Sequence, residues 1–500
     1  MNRHHPNTAL RALLEESGWT HEQLAQAVNG IAKEGDVDLR YDRTAVAHWL
    51  AGVSPRPLTR GYLLEAFRRK LRRYVALGET GLAPPPGAVP PDTGVIRSDQ
   101  EGAVVLRQLC GAILDEQRRS QTLGQPYRGD PWFFLPANGA GSRPTPQSAA
   151  PAPDDPRLSV IDKAAAVFGS GLLVHGGAFA TVTCATFLAE RVVPYLEAEP
   201  GRGAHLAAGA AQLTHLLGDM YADDLRHGVA QQCYRVSARL ASATPGSTEV
   251  LLVAARAGLH AQELAVDSMA QALVRTATQL AREDASPAAH AAVLVGSAAR
   301  DAASGRRDAA RCSLRLAESV MHRAWAGQKH FNPVEATLFA VALRDWGKAH
   351  ATLGDQIRAG HVWQLALRHV PSRHVYVRAL LHAELGALLI QLGDWQRACV
   401  VWEAFVGIYP ALDSRRAGRA LAGLEEALRR TPRQPDARAL RARVRALRAS
   451  GVRQDPDRAP PRKAAARFPS SPPSRGATAL GDLPLQRDTA RHTATETPVR

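Results

Sequence analysis

The feature that most constrains this chain is an internal repeat. The segment RDWGKAHATLGDQIRAGHVWQLALRHVP (344–371) aligns with AELGALLIQLGDWQRACVVWEAFVGIYP (383–410) at a constant offset of 39 residues. Gly347 then matches Gly386, Gly354-Asp355 matches Gly393-Asp394, Ala359 matches Ala398, Trp363 matches Trp402, and Pro371 matches Pro410. One unit reads as two helices joined by a Gly-Asp turn. A hairpin of that kind cannot bury its apolar face alone, so it stacks on further copies.

Looser copies come earlier in the chain: Leu217, Gly218, Tyr221, Ala230 and Tyr234; Gly258 with Ala270; Ala298 with Gly305, Ala310 and Leu314. The small residues at 218, 258, 298, 347 and 386 are spaced by 40, 40, 49 and 39, which predicts five units within residues 158–430. The order of positions within a unit resembles the tetratricopeptide repeat. There, small residues let the two helices approach and bulky ones fill the gap to the next hairpin. The predicted fold class is all-α: a small N-terminal helical domain joined to an α-solenoid of tetratricopeptide-like hairpins, with a disordered C-terminal tail. Composition agrees, because only 5% of residues are aromatic, Ala dominates many segments, and Ala carries the smallest helix penalty.

Residues 1–78 form a separate block of short helical patterns. Asn7 is placed to cap a first helix, and Thr20 with Gln23 forms a capping box for the second, which carries Leu24, Ala25, Val28 and Ile31 on one side. In DRTAVAHWLAGVSPRP, Asp42 is an N-cap and Gly52, Pro55 and Pro57 end the helix. Ala45, Val46, Trp49 and Leu50 make one apolar stripe, while Arg43, Thr44, Ala47, His48 and Ala51 fall on the other face. Small residues beside hydrogen-bonding ones suit a major groove, where Arg reads guanine and Thr reaches bases or phosphates. The fourth helix, 60–74, puts Leu63, Leu64, Phe67 and Leu71 inward and Arg68, Arg69, Lys70, Arg72 and Arg73 largely outward. That basic run reads equally as a phosphate contact or a solvated face.

The series LRALLEESGWTHEQLAQAVN, DRTAVAHWLAGVSPRP and LLEAFRRKL resembles the lambda-repressor-like, Xre-type helix-turn-helix domain. The resemblance implies contacts with double-stranded DNA from Thr20 and His21 at the start of the second helix and from Arg43, Thr44 and His48 in the third. Ala25 and Val46 lie 21 residues apart, about twice the spacing of the compact motif, so residues 29–41 lengthen the second helix and its turn. Taken whole, the chain resembles actinomycete transcriptional regulators that pair such a head with a tetratricopeptide body, among them negative regulators of sporulation and antibiotic production in Streptomyces. VHGGAFATVTCATFLAERVVPYL and LLGDMYADDLRHGVAQQCYRVSARLA carry the resemblance in the body. It implies a regulator, expected as a homodimer because one head covers only a short half-site, with a protein, peptide or small ligand sensed by the repeats. The alternative is a protein-interaction scaffold whose head never meets DNA.

Between head and repeats, residues 79–157 read as a Pro-rich linker with one short helix near 99–119, and Trp132-Phe133-Phe134 as a tuck against a neighbouring domain or a docking anchor. Residues 431–500 read as a basic helix followed by a disordered tail. The formal net charge of +15 sits mostly there, because residues 429–500 hold 17 Lys and Arg against 6 Asp and Glu. The overall charge is therefore weak support for a nucleic-acid partner. Five scattered cysteines (Cys110, Cys184, Cys233, Cys312, Cys399) with no C-x-x-C pair predict a reducing cytoplasm. The N-terminus lacks the apolar core of a secretion signal. Residues 164–189 carry no Asp, Glu, Lys or Arg and are long enough to span a bilayer, yet Gly169, Gly171, Gly176, Gly177 and His175 favour a soluble helix, a glycine break and a second helix. No membrane span is expected.

Catalytic patterns are missing. There is no G-x-x-x-x-G-K-[ST], HEQLAQ lacks the second His of a zinc helix, and GSGLLVHGG has no accompanying nucleophile elbow. Asp223 and Asp224 are adjacent, so on a helix they point about 100° apart and form no acid/base couple. No enzyme activity, cofactor or metal is expected.

Overall fold

In a computed structural model the described residues are 5–35, 37–73, 75–82, 99–129, 155–198, 204–242, 248–281, 285–326, 331–430 and 435–449, and their regular structure is helical throughout. The Trp132-Phe133-Phe134 run and the tail beyond 449 lie outside them.

The head is formed by α1 (Thr8–Ser17), α2 (His21–Glu34), α3 (Arg43–Leu50) and α4 (Pro57–Leu71). The caps are those expected: Asn7 accepts from the backbone N–H of Leu10, and Thr20 with Gln23 completes the capping box. Leu10, Leu24, Val28, Val46, Trp49, Leu63 and Phe67 close one apolar core, which Val75 and Leu82 extend beyond the fourth helix. Asn7 donates to the Thr80 carbonyl at 2.8 Å and ties that extension to the start of α1.

The segment read as a linker holds two helices, α5 (Asp99–Leu114) and α6 (Glu116–Leu123). Ala103, Leu106, Cys110 and Ile113 form a stripe at helical spacing, and that stripe enters the core of the body. This part of the chain is built into the fold and is more than a spacer. The charge-free stretch resolves as expected into α7 (Pro156–His175), a Gly176-Gly177 break, and α8 (Thr181–Phe187), which continues through a π-turn (Leu188–Val192) into α9 (Val193–Ala198). Gly176 takes φ +95°, a value that an L side chain rarely adopts. Among the described residues α7 is the one helix long and apolar enough to cross a membrane. Here its Ile161, Ala165, Phe168 and Leu172 are buried in the body.

The repeats are hairpins of α10 (Ala204–Asp223) with α11 (His227–Ser242), α12 (Thr248–Glu263) with α13 (Asp267–Leu280), α14 (Pro287–Ala303) with α15 (Arg307–Ala326), α16 (Pro333–Thr352) with α17 (Gln356–His369), and α18 (Val375–Gln391) with α19 (Trp395–Ile408). A further pair, α20 (Arg415–Arg430) and α21 (Pro435–Ala449), ends the described array: Ala437, Leu440 and Val444 of α21 are buried, and α21 packs on α19.

The register is the one expected. Each small residue is followed sixteen positions later by a bulky one, giving Gly218/Tyr234, Gly258/Val274, Ala298/Leu314, Gly347/Trp363 and Gly386/Trp402. A Cβ on Gly347 would sit 2.3 Å from the Trp363 indole, and one on Gly386 2.6 Å from Trp402 Nε1. The bulky residue therefore fills the gap left by the glycine of its own hairpin, and not the gap to the next hairpin that the resemblance to the tetratricopeptide repeat implies. Seven positions after each small residue the turn is left-handed: Leu225 (φ 58°), Ala265 (54°), Gly305 (75°), Gly354 (82°) and Gly393 (77°). In the first two hairpins a non-glycine residue bears that conformation, which costs about 1–2 kcal/mol.

Candidate nucleic-acid interface

The third helix divides as its sequence implies. Val46, Trp49 and Leu50 are buried, and Arg43, Thr44, Ala47 and His48 are exposed. Asp42 starts the helix by accepting from the backbone N–H of Thr44 and Ala45, both at 3.0 Å. Those bonds, the Ala45 one foremost, hold the Asp42 carboxyl below its ordinary pKa, so the cap stays ionised. Thr20 is exposed at the start of α2 and His21 is half-buried beside it. The Thr20 hydroxyl accepts from Gln23 N at 3.2 Å, which leaves its O–H able to donate. Residues 20–21 and 43–44 thus sit at two helix N-termini, where backbone N–H groups favour anions.

The lengthened turn is braced. Asn29 of α2 donates to the Tyr41 carbonyl at 2.8 Å and accepts from Tyr41 N–H at 3.0 Å. The Tyr41 hydroxyl meets Thr59 at 3.0 Å, and its ring packs edge-on against Trp49 with centroids 5.1 Å apart. The chain entering α3 is thereby held to α2, α3 and α4 at once.

The basic run on α4 divides: Lys70, Arg72 and Arg73 are exposed, as a solvated face would be, while Arg68 and Arg69 turn inward. Arg68 is buried and donates to the Val75 carbonyl at 3.0 Å. Arg69 forms a fork with Glu34, at 2.7 and 3.0 Å, and also binds Glu65 at 2.8 Å. Arg73 joins Glu16 and Glu79, and Lys70 lies over the Trp19 ring at 5.6 Å. These cations stitch the head together. Sequence pattern showed their density but not their partners, which lie 4 to 57 residues away.

One positioning element had no sequence signal. The strap 124–129 runs between head and body, accepting from the Tyr62 hydroxyl at Gly124 O (2.7 Å) and from Arg69 at Tyr127 O (3.1 Å), and donating from Gly129 N to Glu65 (2.8 Å). On its other side Arg128 N donates to Gln231 of α11 at 2.8 Å, and the Gln231 amide returns a bond to Arg128 O at 2.7 Å. Gly228 permits this close approach: a Cβ there would lie 2.1 Å from Gln125 O.

Behind the strap the body holds a buried polar cluster. Tyr127 packs edge-on against His260, which shares a 2.9 Å hydrogen bond with His227. Burial pushes His215 down to about 4 and His227 down to about 3 and holds His260 well below its ordinary value, so all three rings are neutral near pH 7. Asp219 accepts from Arg256 Nε at 2.6 Å and from the Tyr234 hydroxyl at 2.8 Å. Asp223 accepts from Gly177 N (2.6 Å), Tyr376 (2.5 Å) and Ser414 (2.7 Å), latching the glycine break onto α18 and the start of α20. Its neighbour Asp224 turns instead toward Arg415 at 3.1 Å, so the two carboxylates serve separate ion pairs, as their spacing implies. Among the described residues no cluster of three or more His, Cys, Asp or Glu has metal-ligand geometry.

A family model, the SP15 N-terminal domain, matches residues 10–83, an interval that ends one residue past Leu82 in the head core. No curated protein and no solved structure matches the chain.

Proposed function

We propose that this protein is a sequence-specific, double-stranded-DNA-binding transcriptional regulator whose helical repeats sense a partner protein, peptide or small ligand. The observation that carries the reading is α3 itself: its Val46–Trp49–Leu50 side anchors the helix in the head while Arg43, Thr44 and His48 face outward. Thr20 and His21 flank it as phosphate contacts, and a homodimer would supply two half-sites. The braced turn supports a fixed presentation of that face. By its resemblance to the Streptomyces regulators, the process controlled is development and secondary metabolism, and the place of action is the cytoplasm, at the nucleoid. No catalytic step, cofactor or membrane contact enters this reading.

Selection on random duplexes with the full chain tests it. One enriched motif is expected, with affinity that falls as salt rises. Arg43→Ala and Thr44→Ala should lose the motif; if both bind as the parent does, the assignment of α3 is wrong. A scaffold reading draws on the α4 cations, whose internal pairing leaves fewer charges for phosphates. It predicts no enriched motif.

A further inference from the structure

The first helices of the hairpins line one side of the array, and α7 lies along it, packed on α10, α16 and α18. Gly169 of α7 lets the backbone come close, since a Cβ there would be 2.6 Å from the Pro333 side chain. An extended peptide would need the surface that α7 already occupies. What stays open is a chamber of about 440 Å³ between α16, α18 and α20. That volume suits a small molecule.

The chamber has apolar walls, including Leu380, Ala387, Ile390 and Leu424, and a charged floor. On that floor Arg344 and Arg416 share Glu263, and Lys348 pairs with Glu384 at 2.8 Å. Arg344 also meets Asp345 at 3.0 Å, and Arg416 faces Asp223 at 3.9 Å. Arg419 is different: it is exposed, lines the same chamber, and has no carboxylate within ion-pair distance among the described residues. Burial, with Arg256 and Arg419 nearby, holds Arg416 down at about 10 despite Asp223.

We infer that the chamber binds a small amphipathic anion, its single negative head held by Arg419 and its apolar body, about eight to ten carbons, lying on the Leu380, Ala387 and Ile390 wall. As a signal this ligand rests on the sensing reading above; as a binding site it does not.

Calorimetric titration of the full chain with sodium decanoate, and with the neutral 1-decanol, tests the site. Decanoate is expected to bind at least about tenfold more tightly, the effect of one charge-assisted hydrogen bond. Arg419→Ala should erase that preference. Gly423→Trp, placed where a Cβ meets nothing within 4 Å, should fill the chamber without unfolding the helix and abolish both titrations. Absence of decanoate binding, equal affinity for decanol, or unchanged decanoate binding in a helical, cooperatively melting Gly423→Trp variant would overturn the inference. Retention on the selected DNA is measured in the same samples. Binding of decanoate without change in retention upholds the site and refutes its sensory role, whereas DNA retention in a protein that ignores decanoate overturns the site alone.

Discussion

Replacing Asn29 by Ala removes the brace on the long turn without altering any residue of the outward α3 face. Two hydrogen bonds are lost, at 2.8 and 3.0 Å, both half-buried and both to the Tyr41 backbone. At about 0.5–1.5 kcal/mol each, the head should lose roughly 2 kcal/mol. The Tyr41 hydroxyl bond to Thr59 and its packing on Trp49 survive, so the turn loosens while the head core stays closed. If only the braced turn presents α3 correctly, DNA affinity falls by the shrinkage of the competent fraction, at most about thirtyfold for 2 kcal/mol. Because no phosphate contact disappears, the slope of log affinity against log salt should keep its parent value. Amide hydrogen exchange of residues 37–50 and mobility shifts at four salt concentrations provide the readouts. Parent-like exchange and affinity would refute the brace, and a flatter salt slope would show that Asn29 itself touches the phosphates.

Asp219→Ala should destabilise the body by about 3–5 kcal/mol in urea unfolding, since it strands buried Arg256 and unpairs Tyr234; adding Arg256→Met should recover much of the loss, and a double variant worse than the sum of the singles would contradict the pairing. Gly354→Ala and Gly393→Ala should each cost about 1–2 kcal/mol through the left-handed turn, while Ala265→Gly should be neutral or stabilise by up to about 1 kcal/mol. A clear loss from Ala265→Gly would show that the turn is unstrained. The histidine pair carries a signed pH dependence. His227 and His260 have folded-state pKa values below the unfolded value near 6.5, so the folded chain binds fewer protons, and their contribution is intact above about 6.5 and lost as pH falls toward the folded values. Each costs about 1.4 kcal/mol per pH unit in that window, so urea unfolding at pH 7.5 and 5.5 should show the parent losing about 2–3 kcal/mol more than a His227→Gln/His260→Gln variant. The difference from the variant is the quantity to read, because Asp224 and Glu249, raised by burial to about 6 and about 7, oppose the trend in both proteins. Equal losses would place the two rings in water.

What the sequence revealed and what it concealed divide along physical lines. Caps, turns and close helix approach are local or strictly periodic, so Asn7, Thr20, Asp42 and the pairs at 218, 298, 347 and 386 are legible directly, whereas at 258 only the small residue is, its partner Val274 being too modest to stand out. The left-handed turns at Leu225 and Ala265 were hidden, because glycine is the usual marker and those two hairpins lack it. The α4 arginines looked like a surface run because composition records their number, whereas Glu16, Glu34 and Glu79 neutralise them only after folding. The strap 124–129 lies in a Gly- and Pro-containing stretch that reads as a spacer. Its role comes from backbone groups of Gly124, Tyr127 and Gly129, which pattern analysis does not weigh. The outward set of α3 was legible because burying Val46, Trp49 and Leu50 leaves Arg43, Thr44 and His48 no other side.

The central claim is that the α2–α3 face meets duplex DNA in sequence-specific contact. Crosslinking followed by sequencing, with the tagged full chain and with an Arg43→Ala/Thr44→Ala variant expressed at equal level, measures this in the cell. The account predicts discrete sites sharing one motif for the parent and their disappearance for the variant. An absence of enriched sites, or the same sites occupied equally by both proteins, would contradict it.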